Sequence, residues 1–498
     1  MLNKNYNHSD QIKSAFRKKE NALIFETFSA DTDTPVSLFL KYFESKDDSF
    51  LLESVTGGEI KGRYSIIGTK PDLIWKCIGD KAFISRDQSD FIEEGRNVID
   101  SLRNILDESS MKFPEFLPPM SSGLFGYLGY EMIGLAEKIP QSNADRLNVP
   151  DSIFIRPSVI TIVDGVKDEV TVVCPVWYNK FNDHEEAFQE SKTLLDEVTA
   201  ALSKPLSIAK RPMQIKETSG KLKSNTTKDE YLSLVETAKE SIKSGEIFQI
   251  VLSQRWEQDF FLPHISLYRA LRRTNPSPYM FFFKFKNFSI VGASPEILVK
   301  VADNEVTIRP IAGTRPRGKS IEEDQALAAD LLNDEKENAE HLMLLDLGRN
   351  DVGKVSKVGS VRPTETFIIE KYSHVMHIVS NVVGKIKEGE DCISALFAGL
   401  PAGTVSGAPK IRAMELIDEL EKEKRGVYGG GVGFFSSDGS MDICIALRTG
   451  VIKDKKLFIQ AGGGVVYDSD PEKEYEETVN KSKALVVAAQ EAYKYNPN

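Results

Sequence analysis

Three strand-like runs follow one another in the middle of this chain with almost nothing between them: YMFFFKF (279–285), FSIVGASPEILVKV (288–301) and EVTIRPIAG (305–313). Neighbouring parallel strands need a crossover of about a dozen residues or more, whereas antiparallel strands can be joined by a tight turn. Gaps this short leave the antiparallel solution. Similar β-rich runs separated by polar turns stand at SFLLESV (49–55), RYSIIG (63–68), SVITIVDG (158–165), VTVVCPVWY (170–178) and FQIVLSQRWE (248–257). The fold class expected is α+β, with largely antiparallel β-sheets packed with helices.

Helical periodicity is confined to a few stretches. One runs from about Asp183 to Leu202 and a second from about Lys228 to Ser244. The polar, basic segment between them, SKPLSIAKRPMQIKETSGKLKSNTTKDE (203–230), reads as a linker. A third helix is expected over Ile321–Leu347, with Leu327, Leu331, Leu342 and Leu345 as its buried stripe and Gly348 as its stop. A fourth follows Asp470 and Pro471, which read as N-cap and first helical residue, with Tyr475, Val479 and Leu485 inward. The three glycines before it, Gly462, Gly463 and Gly464, read as a loop or tight bend.

The net charge of −11 argues against nucleic acid or an anionic membrane as the general partner, so an anionic substrate would need positive charge concentrated locally. The cysteines, Cys77, Cys174, Cys392 and Cys444, are scattered, with neither metal-type pairing nor a disulfide framework, and the default setting is reduced and cytoplasmic. The first twenty residues carry no apolar signal region, and no apolar run reaches membrane-spanning length.

Two helices each carry a Glu-x-x-Glu pair: Glu337 with Glu340, and Glu474 with Glu477. Residues three apart project from nearly the same side of a helix. Like charges so placed repel unless water or a cation lies between them. Taken alone, each pair reads as a solvated acidic edge; taken together, they suggest a shared hard cation such as Mg²⁺.

Seven stretches in order then go beyond generic reading: PIAGTRPRG, DEKENAEHLMLLDLGRNDVGKV, YSHVMHIVSNV, LPAGTVSGAPKIRAMELIDELE, YGGGVGFF, MDICIALRT and QAGGGVVYDSDPEKEYEET. Together they resemble the chorismate-utilising enzymes, and most closely the synthase subunits of that family that make anthranilate. The resemblance runs from about Leu51 to the C-terminal helix. It implies an α/β sandwich with an N-terminal regulatory region (1–205), a linker (206–227) and a chorismate-binding catalytic domain (228–498). It also implies a Mg²⁺-dependent lyase that opens the route to tryptophan.

The family pattern carries over by position. Glu340 and Glu477 match magnesium ligands, with Glu337 and Glu474 completing the acidic cluster. Arg448 and Tyr428 match the groups that hold the enolpyruvyl carboxylate. Alternation in DICIALRT would put Arg448 on one strand face with small Cys444 and Ala446. Gly462, Gly463 and Gly464 match the segment whose amides meet the ring carboxylate, and Gly313 and Thr314 match further substrate contacts. Glu296 matches the general acid that protonates the departing C4 hydroxyl, a role that needs a raised pKa; crowding by other carboxylates would supply one. His377 and Thr404 match a pair near that hydroxyl. By themselves, a histidine in the helix-like run SHVMHIVSNVV reads as a core or surface residue, and Thr404 as a turn cap.

Two positions separate the relatives. Gln249 stands where those that add water resemble one another in having a lysine base. Ala312 stands where most 4-amino-4-deoxychorismate synthases carry a lysine. Neither glutamine nor alanine can do those chemistries, which leaves ammonia as the nucleophile at C2. No glutaminase nucleophile setting is visible, so ammonia would come from a separate glutamine amidotransferase subunit, in the heterotetramer the resemblance implies, or from free ammonium at high pH. LLESVTGGEIKGRYS and NPSPYMFFF resemble two walls of a tryptophan inhibitor site, with Ser54, Pro278, Tyr279 and Met280 as ligand residues. The alternatives are a 4-amino-4-deoxychorismate synthase and a non-catalytic tryptophan-binding regulator. The departures from the family pattern are mild: Gly431 and Gly463 for the usual alanine, and Lys422 for a frequent proline.

Overall fold

The apolar run YMFFFK forms the strand Tyr279–Lys284, buried along its middle because Met280 and Phe282 pack into one apolar cluster and Phe281 and Phe283 into another, with antiparallel neighbours on both edges. Ser49–Glu53 pairs on one side, with Met280 opposite Glu53 and Phe283 opposite Phe50. Phe288–Ser294 pairs on the other, with Tyr279 opposite Ser294. Phe50 stacks between Phe125, at 4.5 Å, and Phe283, at 5.4 Å, so aromatic contacts on the strand faces reinforce the ladder. In this computed structural model, residues 7–56, 60–206, 222–372 and 375–495 are described.

Among the described residues the ladders join 22 strands into one connected sheet system, and every ladder between these strands is antiparallel. This is the α+β architecture expected from the short gaps. FSIVGASPEILVKV divides into two strands, Phe288–Ser294 and Ile297–Ala302, and the break falls at Pro295 and Glu296. Proline cannot donate to a ladder, so pairing stops there and Glu296 is freed from it.

Strands from the first two hundred residues pair directly with strands near the C-terminus. Gly123–Leu128 lies against Gly431–Ser436, and Ser49–Glu53 against Tyr279–Lys284. The large apolar clusters accordingly draw on both ends of the chain; one runs from Ile12 to Ala492. Most of the expected linker lies outside the described residues. Its end, Lys223–Ser224, pairs with Trp256 and Glu257.

The helices form where capping and periodicity agree. His184–Leu202 starts at the N-cap Asp183, whose side chain accepts from Glu185 and Glu186, and Lys228–Lys243 starts at a capping box of Thr227 and Glu230. The Lys422 that departs from the family's proline forms an ion pair with that Glu230, at 2.8 Å. The stretch after Ser320 is not the single helix expected. It is two helices, Ile321–Asn333 and Glu335–Val355, divided at Asp334, which caps the second by accepting from Lys336 and Glu337. Gly348 does not stop this helix: it is buried inside it, where a Cβ would stand 3.2 Å from Pro310. Leu331 and Leu345 are buried as expected and Leu327 packs in part, but Leu342 is 51% exposed.

Pro471–Glu491 is capped by Asp470, as expected, and Leu485 is buried. Tyr475 and Val479 are only half-buried, and Thr478 and Ser482 take the inward positions between them. Gly462, Gly463 and Gly464 are not a loop. They lie within the strand Lys456–Val465, opposite Ser253, Leu252 and Val251. His377 likewise stands on a strand, Val375–Lys385, rather than in a helical run. No helix among the described residues is long and apolar enough to cross a membrane.

Candidate active site

Glu296 sits at the ladder break, its carbonyl accepting from the Ile445 amide at 3.0 Å. Thr404, on the short turn Gly403–Val405, places its hydroxyl 3.3 Å from both carboxyl oxygens. Burial pushes the carboxyl up to about 8, against smaller opposing effects from Thr404 and the Ile311 amide. Desolvation, rather than the neighbouring carboxylates expected, therefore keeps Glu296 protonated at neutral pH.

His377 approaches from the strand Val375–Lys385. Its Nδ1 lies 2.8 Å from the Gly313 carbonyl and 3.2 Å from the Thr314 hydroxyl. A carbonyl can only accept, so Nδ1 carries the proton and Nε2 is left as an acceptor. Burial lowers the ring's pKa, which keeps it neutral. Gly313 makes this turn at φ +64°, a conformation that suits glycine. Gly313, Thr314 and His377 are thus one hydrogen-bonded unit.

The acidic pairs come from the first two turns of two helices, close enough that the charge of Glu477 acts on Glu340. Glu340 is raised by burial and then by the charges of Glu337 and Glu477; Glu474 is raised by burial and by Glu477. Glu474 Oε2 is buried without a hydrogen-bond partner. Two of the four are tied to cations: Glu477 to Lys481 at 2.6 Å and Glu337 to Arg315 at 3.4 Å. Among the described residues, no three metal-binding side chains form a ready-made cage.

The glycine strand explains its own composition. A Cβ on Gly462 would stand 2.9 Å from the Tyr428 hydroxyl, and one on Gly463 3.3 Å from Glu474 Oε2. On Gly464 it would stand 2.9 Å from Gln249 Nε2. Three candidate site residues therefore occupy the space that side chains would take. Gln249 begins the paired strand Gln249–Asp259 and is 4% exposed, with its Oε1 lacking a hydrogen-bond partner. Ala312 is buried on the strand that carries Gly313 and Thr314.

Arg448 is not on a strand face with Cys444 and Ala446. The strand Met441–Ile445 ends earlier, Ala446 donates to the Gly430 carbonyl, and Arg448 adopts φ +46°. A non-glycine residue held there marks a backbone under constraint. Burial lowers its pKa, and Tyr372 opposes this only in part. A desolvated guanidinium without a carboxylate partner among the described residues is prepared for an anion.

Ser54, Pro278, Tyr279 and Met280 line a separate cavity of about 710 Å³. Cys444 opens into this cavity, as do Asp442, Arg309 and Glu370. Tyr279 donates to Asp442 at 3.0 Å, and Lys300 lies 3.5 Å from the same carboxylate. Glu53 closes one end, held by Tyr268 at 2.5 Å and Arg272 at 2.7 Å.

Sequence reasoning missed Lys481, which binds Glu477 and also donates to the Gly462 carbonyl at 3.0 Å. Its place four residues after Glu477 on a helix was a readable signal. Arg425 was missed too. It is fully buried, hydrogen-bonded to Glu421 and to the carbonyls of Val405 and Val251, and its guanidinium lies 5.7 Å from the centre of the Tyr428 ring. No sequence signal marks it beyond its nearness to Tyr428.

A buried neutral acid, a desolvated arginine and two facing carboxylate pairs on an antiparallel α+β scaffold define an enzyme site for a small anionic substrate. Residues 48–487 match the chorismate binding enzyme family, and the chain belongs to it. It is 58% identical over 488 residues, 97% of both chains, to a protein of Cereibacter sphaeroides named anthranilate synthase component 1. A Pseudomonas putida protein of the same name is 46% identical over 92% of each chain. The crystal structure of anthranilate synthase component I from Streptococcus pneumoniae superposes with a TM-score of 0.76 at 38% identity, covering 85% of this chain and 92% of that one. The menaquinone-specific isochorismate synthase of Escherichia coli shares the fold, with a TM-score of 0.71 at 17% identity over 97% of this chain and all of its own.

Proposed function

We propose that this chain is the synthase component of an anthranilate synthase. Ammonia adds at C2 of chorismate, the C4 hydroxyl leaves as water, and pyruvate is then eliminated to give anthranilate. The observation that carries the choice of nucleophile is Gln249, a buried neutral amide whose unpaired Oε1 can accept a hydrogen bond from ammonia but cannot deprotonate water. Ala312 offers no amine for covalent attack at C2.

The remaining roles follow from the chemistry of each group. Glu296, protonated at neutral pH, donates to the departing C4 oxygen while Thr404 holds its carboxyl. His377 presents Nε2 as an acceptor near the same oxygen, its ring fixed through Nδ1. Arg448 and Tyr428 hold the enolpyruvyl carboxylate, and the Gly462–Gly464 segment and Gly313 with Thr314 contact the rest of the substrate.

The acidic cluster fits a hard divalent cation. Glu474 Oε2 is a buried acceptor without a donor, and burial together with neighbouring carboxylate charge raises Glu340 and Glu474. Glu340 and Glu477 would hold Mg²⁺ directly, with Glu337 and Glu474 behind them; the ion takes few protein carboxylates and keeps waters. When bound, it supplies positive charge opposite a substrate carboxylate. Glutamine-derived ammonia would come from a separate amidotransferase subunit, and the cavity around Ser54 and Met280 would hold tryptophan as feedback inhibitor.

The test is direct: purified chain, chorismate, Mg²⁺ and ammonium, with chromatographic identification of the product. Anthranilate and pyruvate in equal amounts are expected. Isochorismate or 4-amino-4-deoxychorismate as the main product would overturn the reading, and no turnover at all would favour a binding protein.

A further inference from the structure

The cavity around Ser54 and the chorismate site are separate spaces, yet they share a wall. Pro295 and Ile297 line the cavity, and Glu296 between them faces Thr404 on the other side. Tyr372 also lines the cavity, and its ring meets the His377 ring edge-on, with centroids 5.5 Å apart. The tyrosine is fixed from the cavity side: its hydroxyl donates to Glu370 at 2.9 Å, and Glu370 is paired with Arg309. Both of these partners line the cavity too. Gly313 and Thr314 hold the opposite part of the histidine ring through Nδ1.

We propose that Tyr372 is a positioning residue for His377 and the link through which an occupant of the cavity alters the chorismate site. An occupant that displaces Glu370 or Arg309 moves the hydroxyl they hold. The ring edge then shifts against His377, and Nε2 loses its aim at the leaving oxygen. Only displacements of a few tenths of an ångström are needed, because interiors this closely packed transmit them rather than absorb them. Because Nε2 also accepts from the C4 hydroxyl in bound chorismate, the shift weakens chorismate binding as well, and binding coupling is reciprocal: chorismate weakens the occupant's binding by the same factor. The inference rests on the proposed tryptophan site.

The experiment measures tryptophan binding to the full chain by calorimetry, in Mg²⁺ without ammonium, alone and at saturating chorismate. Wild type should bind tryptophan at least about fivefold more weakly with chorismate present, within the usual range of allosteric coupling. Tyr372→Phe keeps the ring against His377 and deletes only the link to Glu370. It should still give a binding isotherm with each ligand alone, while the ratio falls to within about twofold of one, below the usual range of allosteric coupling. A role confined to folding would change the separate affinities rather than their ratio. Should Tyr372→Phe bind neither ligand, Glu370→Ala, which removes the acceptor of the Tyr372 hydroxyl, decides the question by the same ratio. A wild-type ratio in the deciding variant overturns the proposal. Wild type that binds no tryptophan refutes the inhibitor reading and this inference with it, whereas wild type that binds it with a ratio of one refutes this inference alone.

Discussion

Replacing Glu296 with glutamine should sharply slow catalysis and yet stabilise the protein, increasingly so as pH rises. Burial raises this carboxyl from its ordinary 4.5 to about 8 in the folded state. In the window between those values the unfolded chain has released the proton and the folded chain still binds it, so folding takes up a proton. Stability is therefore lost as pH rises through the window and levels off above it. Linkage gives a cost of about 3 kcal/mol at neutral pH, approaching about 5 kcal/mol once the group is ionised in both states. The substituted glutamine would carry no such cost, and its amide oxygen can still accept from Thr404. Its own N–H groups add a pH-independent offset of about 1–3 kcal/mol if left unpaired, so the diagnostic is the slope. Urea unfolding without Mg²⁺ should show the variant's advantage growing by about 3 kcal/mol from pH ~5.5 to pH ~8.5. Its turnover should fall by roughly 10²–10⁴, the usual contribution of a general acid, and wild-type turnover should decline above pH ~8. An advantage that does not change with pH would refute the buried neutral acid.

Glu340→Ala or Glu477→Ala should abolish turnover while leaving the fold intact; Mg²⁺ should raise the melting temperature of wild type and fail to raise that of either variant. Arg448→Lys should lower kcat/KM for chorismate by about 10–100-fold, the loss of a bidentate pair in a desolvated site, and unchanged kinetics would remove Arg448 from the substrate. Ser54→Phe should fill the cavity and desensitise the enzyme to tryptophan with little change in uninhibited rate; inhibition curves with and without the substitution decide it. Gln249→Lys should slow amination, and product analysis with and without ammonium should reveal at most a small leak toward isochorismate. An unchanged anthranilate rate there would show that residue 249 does not face the nucleophile.

The architecture was legible where local and non-local preferences agree. Short gaps between the runs around residues 279–313 demanded antiparallel pairing, Asp470 read as an N-cap, and helices were expected to begin near Asp183 and Lys228, all of which the structure keeps. Reading failed where a local signal had a second meaning. Asp334 looks like one more acid in a helical run but is the cap of a new helix. Gly348 looks like a stop but allows close approach to Pro310. The glycines at 462–464 look like a turn because their neighbours, Tyr428, Glu474 and Gln249, lie far away in sequence. The motifs supplied the candidate residues but not Lys481, which binds Glu477, or Arg425, which lies beside Tyr428. What no motif carried was the physical state: burial rather than charge crowding raises Glu296, and the His377 tautomer depends on a carbonyl contributed by another strand.

The pairing of early strands with late ones has a consequence for how the protein is made. Leu128 must wait for Gly431, roughly 300 residues later in synthesis, before its ladder can form. At ribosomal speeds of about 5–20 residues per second, Gly123–Leu128 lacks this partner for about 15–60 s. Ser49–Glu53 likewise waits for Tyr279–Lys284, so one wall of the 710 Å³ cavity cannot exist until well over half the polypeptide has emerged. A nascent chain in that interval exposes apolar strand edges, the surface that chaperones bind and aggregates grow from. An N-terminal fragment expressed alone should therefore collect in inclusion bodies, and co-expression of the remainder should rescue it.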